Sequence, residues 1–222
     1  MNKKRFVIAI DGPAASGKST IAQILAKRLN CLYVDTGAMY RALTLKALNQ
    51  KIDLTDKKSL IQLAQNTNIS LKDNEGAFLR VYLDDEDVTK KIRDPQVTNS
   101  VAYIANIPEL RTIMVKKQRD LSRQGPVIME GRDITTVVFP DADRKFYLDA
   151  SFNERLKRRY RQYIQEGREV NISKLENDMR LRDKRDRERK VGTLKIAKDA
   201  IYIDTTKLSI SEVVEKIISY IK

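Results

Sequence analysis

Short apolar runs alternate along this chain with longer stretches in which apolar residues recur every three to four positions. That alternation predicts an α/β protein with a central parallel sheet flanked by helices. Five runs read as core strands: Phe6 to Ile10, Leu32 to Asp35, Pro126 to Glu130, Lys145 to Leu148 and Ala200 to Asp204. Each is short and largely apolar, as strands covered on both faces should be. Helices are expected after them, and two begin with Ser-x-x-Glu capping boxes, Ser151 with Glu154 and Ser209 with Glu212. The alternation breaks twice. Residues 67 to 93 hold two strand-like runs around Asp-Asn-Glu-Gly, which predicts a β-hairpin in a small antiparallel insert. Residues 152 to 190 are helical and densely charged, with Gly167 as the break between two helices.

Length favours a single folding unit, since 222 residues bury one substantial core. Hydrophobic residues make up 41% and charged residues 33%, with no Pro-rich or Gly/Ser-rich tract, as expected of a globular chain. The apolar run near the N-terminus ends at Asp11, too short for a signal segment or a membrane span, so a cytoplasmic protein with no membrane partner is expected. One cysteine, Cys31, excludes an internal disulfide.

The absence of histidine narrows the chemistry further. It removes Ser-His-Asp and Cys-His nucleophiles and, with one cysteine, any ordinary zinc site. Lys, Arg, Asp, Glu, hydroxyls and backbone amides remain, an inventory suited to phosphoryl transfer, where positioning and charge stabilisation dominate. Forty-three Lys and Arg against thirty Asp and Glu give a formal charge of +13, concentrated from 155 to 190. Such a charge implies a polyanionic partner, either nucleotide or nucleic acid. No recognition-helix motif and no aromatic platform supports the second, so no nucleic-acid partner is expected.

Gly12-Pro13-Ala14-Ala15-Ser16-Gly17-Lys18-Ser19 matches G-x-x-x-x-G-K-[ST] without mismatch, and it is followed by Thr20. The motif lies between a strand and a helical run, the context in which backbone amides curl around phosphate oxygens at a helix N-terminus. ATP or GTP is therefore the expected ligand. Lys18 is expected to span the β- and γ-phosphates, and the Ser19 hydroxyl to ligate magnesium directly. Asp35, ending the next strand, has two readings of equal weight: holding magnesium through water, or capping the helix from Gly37.

The acceptor side is written less sharply. Thr36 is placed to cap a helix on which Arg41 lies about one turn in. Arg132 and Asp133 fall just beyond the carboxyl end of a central strand, where open α/β sheets bind ligands, although the two could form a plain mutual salt bridge. Arg182, Asp186 and Arg189 share one helical face, which would otherwise read as a solvated, ion-paired surface.

IDGPAASGKST, DTGAMYRALTLKAL, DVTKKIR, EGRDITTVVFPDAD, KFYLDAS and RLRDKRDRER, with the insert, resemble the bacterial cytidylate kinases over essentially the full length. The resemblance implies a P-loop kinase fold, ATP and CMP or dCMP as substrates, Mg2+ as cofactor and a monomer. It implies a core of about 1–36, 100–151 and 190–222, an acceptor-binding insert of about 37–99 and a lid of about 152–189. By resemblance, Arg41, Arg132 and Arg189 hold the acceptor phosphate; Arg111 and Asp133 read the base; Thr36, Arg182 and Asp186 contact the sugar. Lys18, Arg132, Arg182 and Arg189 form the implied catalytic set. Arg155, Arg158 and Arg159 are lid candidates, against the plainer reading of a solvated face. A base-contacting serine of some relatives aligns with Ala102, with Ser100 two residues away.

Overall fold

A computed structural model describes residues 6–74 and 77–221. Five parallel strands form the central sheet in the order β2-β6-β1-β7-β8: β1 Val7–Asp11, β2 Leu32–Asp35, β6 Val127–Gly131, β7 Arg144–Asp149 and β8 Ile201–Asp204. All five expected strands are present, with ends displaced by at most one residue. β1 is the central strand with β6 beside it, and both are buried along their whole lengths, apolar except for Asp11 and Glu130 near their carboxyl ends. Their register pairs Asp11 with Gly131, so the loops that leave these two strands start level with each other.

Helices cover both faces. α1 Lys18–Leu29 follows β1, and α2 Thr36–Asn49 follows β2 and packs against α4 Pro95–Ala105. α3 Lys57–Gln65 packs on α5 Pro108–Leu121. Both α4 and α5 start with a proline at their first turn, where the missing N–H costs nothing. A single π-helical turn, Ile134–Val138, follows β6. α6 Phe152–Gln165 and α7 Ile172–Glu188 form the charged helical pair, with Gly167 between them at φ 70. α8 Ile210–Ser219 closes the chain against α1.

The insert is a separate antiparallel sheet of β3 Ile69–Asn74, β4 Ala77–Leu83 and β5 Glu86–Asp87. The expected hairpin is β3 with β4; Glu75 and Gly76 of its turn lie outside the described residues. β5 escaped the sequence because two exposed acidic residues carry no hydrophobic alternation.

Only one of the two expected capping boxes is complete. Ser209 and Glu212 exchange both bonds. At Ser151 the hydroxyl accepts from Glu154 N at 3.4 Å, but the Glu154 carboxylate accepts from Arg158 Nε at 3.0 Å instead of returning to the cap. A cation one helical turn away competes better for that carboxylate than a neutral amide.

Candidate active site

The phosphate loop begins where β1 ends. Asp11 is fully buried and its carboxylate accepts from Ile134 N (2.9 Å), Thr135 N (2.8 Å) and Thr135 Oγ1 (2.6 Å). The root of the loop is thereby tied to the π-helical turn after β6. Burial pushes this carboxyl up to about 6 against the pull of those three donors. Gly12 follows at φ 150, and a Cβ there would overlap the Leu148 backbone carbonyl, so only glycine lets the loop cross β7 this closely. Ala15 takes φ 61 and Gly17 takes φ 96 as the N-cap of α1. The loop therefore runs straight into the N-terminus of α1, the end of a helix that favours an anion.

Lys18 is buried, and its Nζ donates to Pro13 O at 2.7 Å. Burial, together with the nearby charges of Arg132 and Arg182, pulls its ammonium down to about 7, opposed by Glu130 and Asp11. Ser19 Oγ donates to Glu130 Oε1 at 2.6 Å, and Tyr33 OH donates to the same oxygen at 3.3 Å. Burial and the neighbouring Asp35 carboxylate hold the Glu130 carboxyl above its usual range. One hydroxyl and two nearby carboxylates make a hard-oxygen corner at the mouth of the loop. Among the described residues no cluster of three or more His, Cys, Asp or Glu forms a protein-only metal cage. The corner therefore fits a cation such as Mg2+, which usually takes one or two carboxylates and completes its shell with phosphates and water.

Asp35 is the N-cap of α2: it accepts from Ala38 N at 2.8 Å through Oδ1, and from Arg41 Nη2 at 3.0 Å through Oδ2. Thr36 does not cap the helix, contrary to expectation. Its hydroxyl donates to Glu130 O at 2.8 Å, because the helix starts one residue earlier and leaves Thr36 facing β6.

Arg132 and Asp133 do not pair with each other. Arg132 Nε donates to Asp186 Oδ2 at 2.7 Å, and Arg189 Nη2 donates to Asp186 Oδ1 at 2.9 Å, so one carboxylate of α7 bridges two arginines. Asp133 instead forms a buried ion pair with Arg111 of α5, whose Nη1 also donates to Ala105 O at 3.3 Å. The Arg111 guanidinium lies 5.6 Å from the Tyr40 ring. Gly192 packs directly on this pair, where a Cβ would overlap Arg111. Tyr40 Oη, Arg41 Nε and Arg111 Nε are buried without a hydrogen-bond partner, and such unmet buried polar atoms are rare in folded proteins.

Arg182 completes the cluster. Burial and the charges of Arg132, Arg159 and Arg41 pull it down to about 10, with Asp186 opposing. Of the lid candidates, Arg159 faces this cluster, and burial and the charges of Arg41 and Arg132 lower it too. Arg158 is held at the Thr205 turn, donating to Thr205 Oγ1 (2.9 Å) and Thr205 O (2.6 Å). Arg155 is buried and committed to Ala14 O, Ala150 O and Asp183. Ser100 and Ala102 both lie on α4, two residues apart and so on different faces. The remaining loop residue, Thr20, stands exposed in the first turn of α1.

The family model described as Cytidylate kinase matches residues 8–222. The chain belongs to the cytidylate kinase family. It is 52% identical to a cytidylate kinase of Geobacillus sp. (strain WCH70) over 96% of this chain and 95% of that protein. With a cytidylate kinase of Bacillus cereus (strain G9842) it shares 47% identity over 98% of this chain and 96% of that protein. Among solved structures, an uncharacterized protein from Eubacterium ventriosum shares the fold at 16% identity and a TM-score of 0.52, covering 97% of this chain and 98% of that one.

Two participants were not singled out from the sequence. Glu130 sits inside the apolar run of β6, and its position opposite Ser19 follows only from strand order. Asp183 is one of several acids on a charged helix. Its partnership with Arg155 appears only once α6 and α7 are packed.

Proposed function

We propose that this chain transfers the γ-phosphoryl group of ATP to CMP or dCMP, giving CDP or dCDP and ADP, as a cytoplasmic monomer in pyrimidine nucleotide metabolism. The observation that carries this reading is the like-charge cluster. Lys18, Arg132, Arg182, Arg159 and Arg189 crowd together, and burial and mutual repulsion lower four of them. Asp186 offsets part of that repulsion, and the triphosphate of ATP together with the acceptor's single phosphate would offset the rest.

The acceptor phosphate is already anionic, so its oxygen attacks the γ-phosphorus without a strong base. The new P–O bond forms as the bond to the β–γ bridging oxygen breaks, and ADP leaves. Lys18 and the loop amides hold the β- and γ-phosphates. Arg41, Arg132 and Arg189 hold the acceptor phosphate in line and suppress repulsion between two anions. Ser19 and Glu130, with Asp35 through water, would hold Mg2+, which supplies charge neutralisation at the phosphates. Arg159 is the lid residue best placed to reach the transferred group. In this reading residues of about 37–99 form the acceptor insert, and about 152–189 the lid over a core made by the remainder.

Base choice falls to Arg111 and Asp133. Cytosine offers an amino donor to a carboxylate and ring acceptors to an arginine, while uracil reverses that edge. A buried site of this kind can discriminate by about 10⁴-fold, because the wrong base leaves polar groups unpaired. Thr36, Arg182 and Asp186 are assigned to the sugar.

A coupled ADP assay with CMP, dCMP, UMP, AMP and shikimate in turn tests the proposal. ADP formation is expected to rise with the two cytosine nucleotides. A rate no higher with CMP than with ATP alone would end it.

A further inference from the structure

Arg155 stands in the first turn of α6 and is 3% exposed. Its guanidinium reaches three separate pieces of chain. Nε donates to Ala150 O at 3.0 Å, just past β7; Nη1 donates to Ala14 O at 3.2 Å, inside the phosphate loop; Nη2 donates to Asp183 Oδ2 at 2.7 Å, on α7. Phe152 lies under the guanidinium at 5.4 Å, and Arg180 of α7 covers the same ring at 4.0 Å. This side chain is therefore built into the protein, with no donor fork left to swing over a phosphate.

Both ends of the strut matter for geometry. A peptide unit is planar and trans, so its C=O and the following N–H point in opposite directions. Holding Ala14 O toward α6 turns the Ala15 N–H away from α6, toward the phosphate side of the loop. Ala15 itself takes φ 61, a conformation that a residue with a Cβ keeps only when its surroundings impose it. At the other end, Asp183 is buried beside Arg182 and one turn before Asp186. Its Oδ1 has no hydrogen-bond partner, so Arg155 is the hydrogen-bond tie of this carboxylate among the described residues.

We propose that Arg155 is a positioning residue serving both substrates: it aims the Ala15 N–H at the ATP phosphates and, through Asp183, sets where α7 presents Arg182, Asp186 and Arg189. The proposal rests on the assignment of the two phosphate sites made above. It gives Asp183 a role of its own and removes Arg155 from the groups that neutralise the transferred phosphoryl.

A lysine separates the two roles. If Arg155 worked as a mobile positive charge, Arg155→Lys would keep most of the activity. A lysine does not reproduce a planar fork with three separately directed bonds. The experiment compares wild type, Arg155→Lys, Arg155→Met, Asp183→Asn and the double variant Arg155→Met/Asp183→Asn. Two quantities are read: calorimetric affinity for a non-hydrolysable ATP analogue without acceptor, and kcat and KM for CMP.

Arg155→Lys is expected to behave like Arg155→Met, losing about 10-fold in analogue affinity and about 100-fold in kcat/KM for CMP. Asp183→Asn, which leaves the Ala14 contact in place, should hold analogue affinity within about 3-fold and lose about 10-fold in kcat/KM. The double variant should be no worse than Arg155→Met. Because it removes both buried charges together, it remains readable if Arg155→Met does not fold. Lysine rescue to within about 3-fold of wild type, or losses that multiply in the double variant, overturns the proposal. A wild-type protein inert toward CMP would instead overturn the assigned reaction, leaving the analogue measurement to decide the Ala15 half alone.

Discussion

Ser19 Oγ donates to Glu130 Oε1 across 2.6 Å, joining the first turn of α1 to the end of β6. The hydroxyl of the phosphate loop and a carboxylate from a strand more than a hundred residues away meet at the site proposed above for Mg2+. Replacing Glu130 by Gln keeps the size and one acceptor oxygen and removes the charge. The variant is expected to need more Mg2+ for half-maximal rate and to lose about 100-fold in kcat. Initial rates across a magnesium titration give the answer; an unchanged magnesium dependence would remove Glu130 from the cation site.

Lys18 links nucleotide binding to protons. Its pKa is pulled down to about 7 by burial and by Arg132 in the free protein. A bound polyphosphate favours the charged ammonium and raises that value. At pH 8 the free lysine is mostly neutral, so binding takes up to about one proton; below about pH 6 it is already charged and the uptake fades. Calorimetry with metal-free ATP analogue in buffers of different ionisation enthalpy measures this directly. Lys18→Met should bind without the uptake. Equal proton counts in both proteins would show that the lysine is not the group concerned.

The Arg111–Asp133 pair is nearly inaccessible to solvent. Asp133→Asn should therefore do two things at once. It should lower the CMP to UMP ratio of kcat/KM by about 100-fold or more, because the amide presents a donor where cytosine needs an acceptor. It should also destabilise the fold by about 3–5 kcal/mol, through an arginine left buried without its counter-charge. A substrate panel and a urea melt read these separately. Lost stability with intact selectivity would make the pair structural.

Gly12 is constrained by backbone, not by a side chain that might rotate aside. Its Cβ would overlap the Leu148 carbonyl oxygen. Gly12→Ala is expected to cost about 1–3 kcal/mol, which lowers the melting temperature by roughly 2–12 °C for a chain of this size. It should also weaken ATP binding. A melt matching wild type would mean that β7 yields more easily than close packing suggests.

Periodicity and composition made the frame legible. The five strands of the sheet, the P-loop between β1 and α1, and the Gly167 break in the charged pair all follow from local sequence. Local signals failed where a partner comes from elsewhere in the chain. Arg132 next to Asp133 reads as a pair, yet each turns to a different helix. Asp35 and Thr36 are both good capping types; β6, which gives Thr36 a carbonyl to bond, decides between them. Arg155, Arg158 and Arg159 look equivalent along one basic helix, and only packing separates a strut, a turn anchor and a member of the cation cluster.

The pairing of Asp11 with Gly131 carries a demand on the whole sheet. In the proposed assignment the donor loop and the acceptor loop leave neighbouring strands at the same level, so slipping β6 by one residue would carry Arg132 about 3.3 Å along the strand axis. Reacting atoms tolerate far less than that before the rate collapses. Strand alignment thus acts as the ruler for the gap between the two phosphates, and mutations buried at the sheet's centre can silence the enzyme while leaving every charged side chain in place.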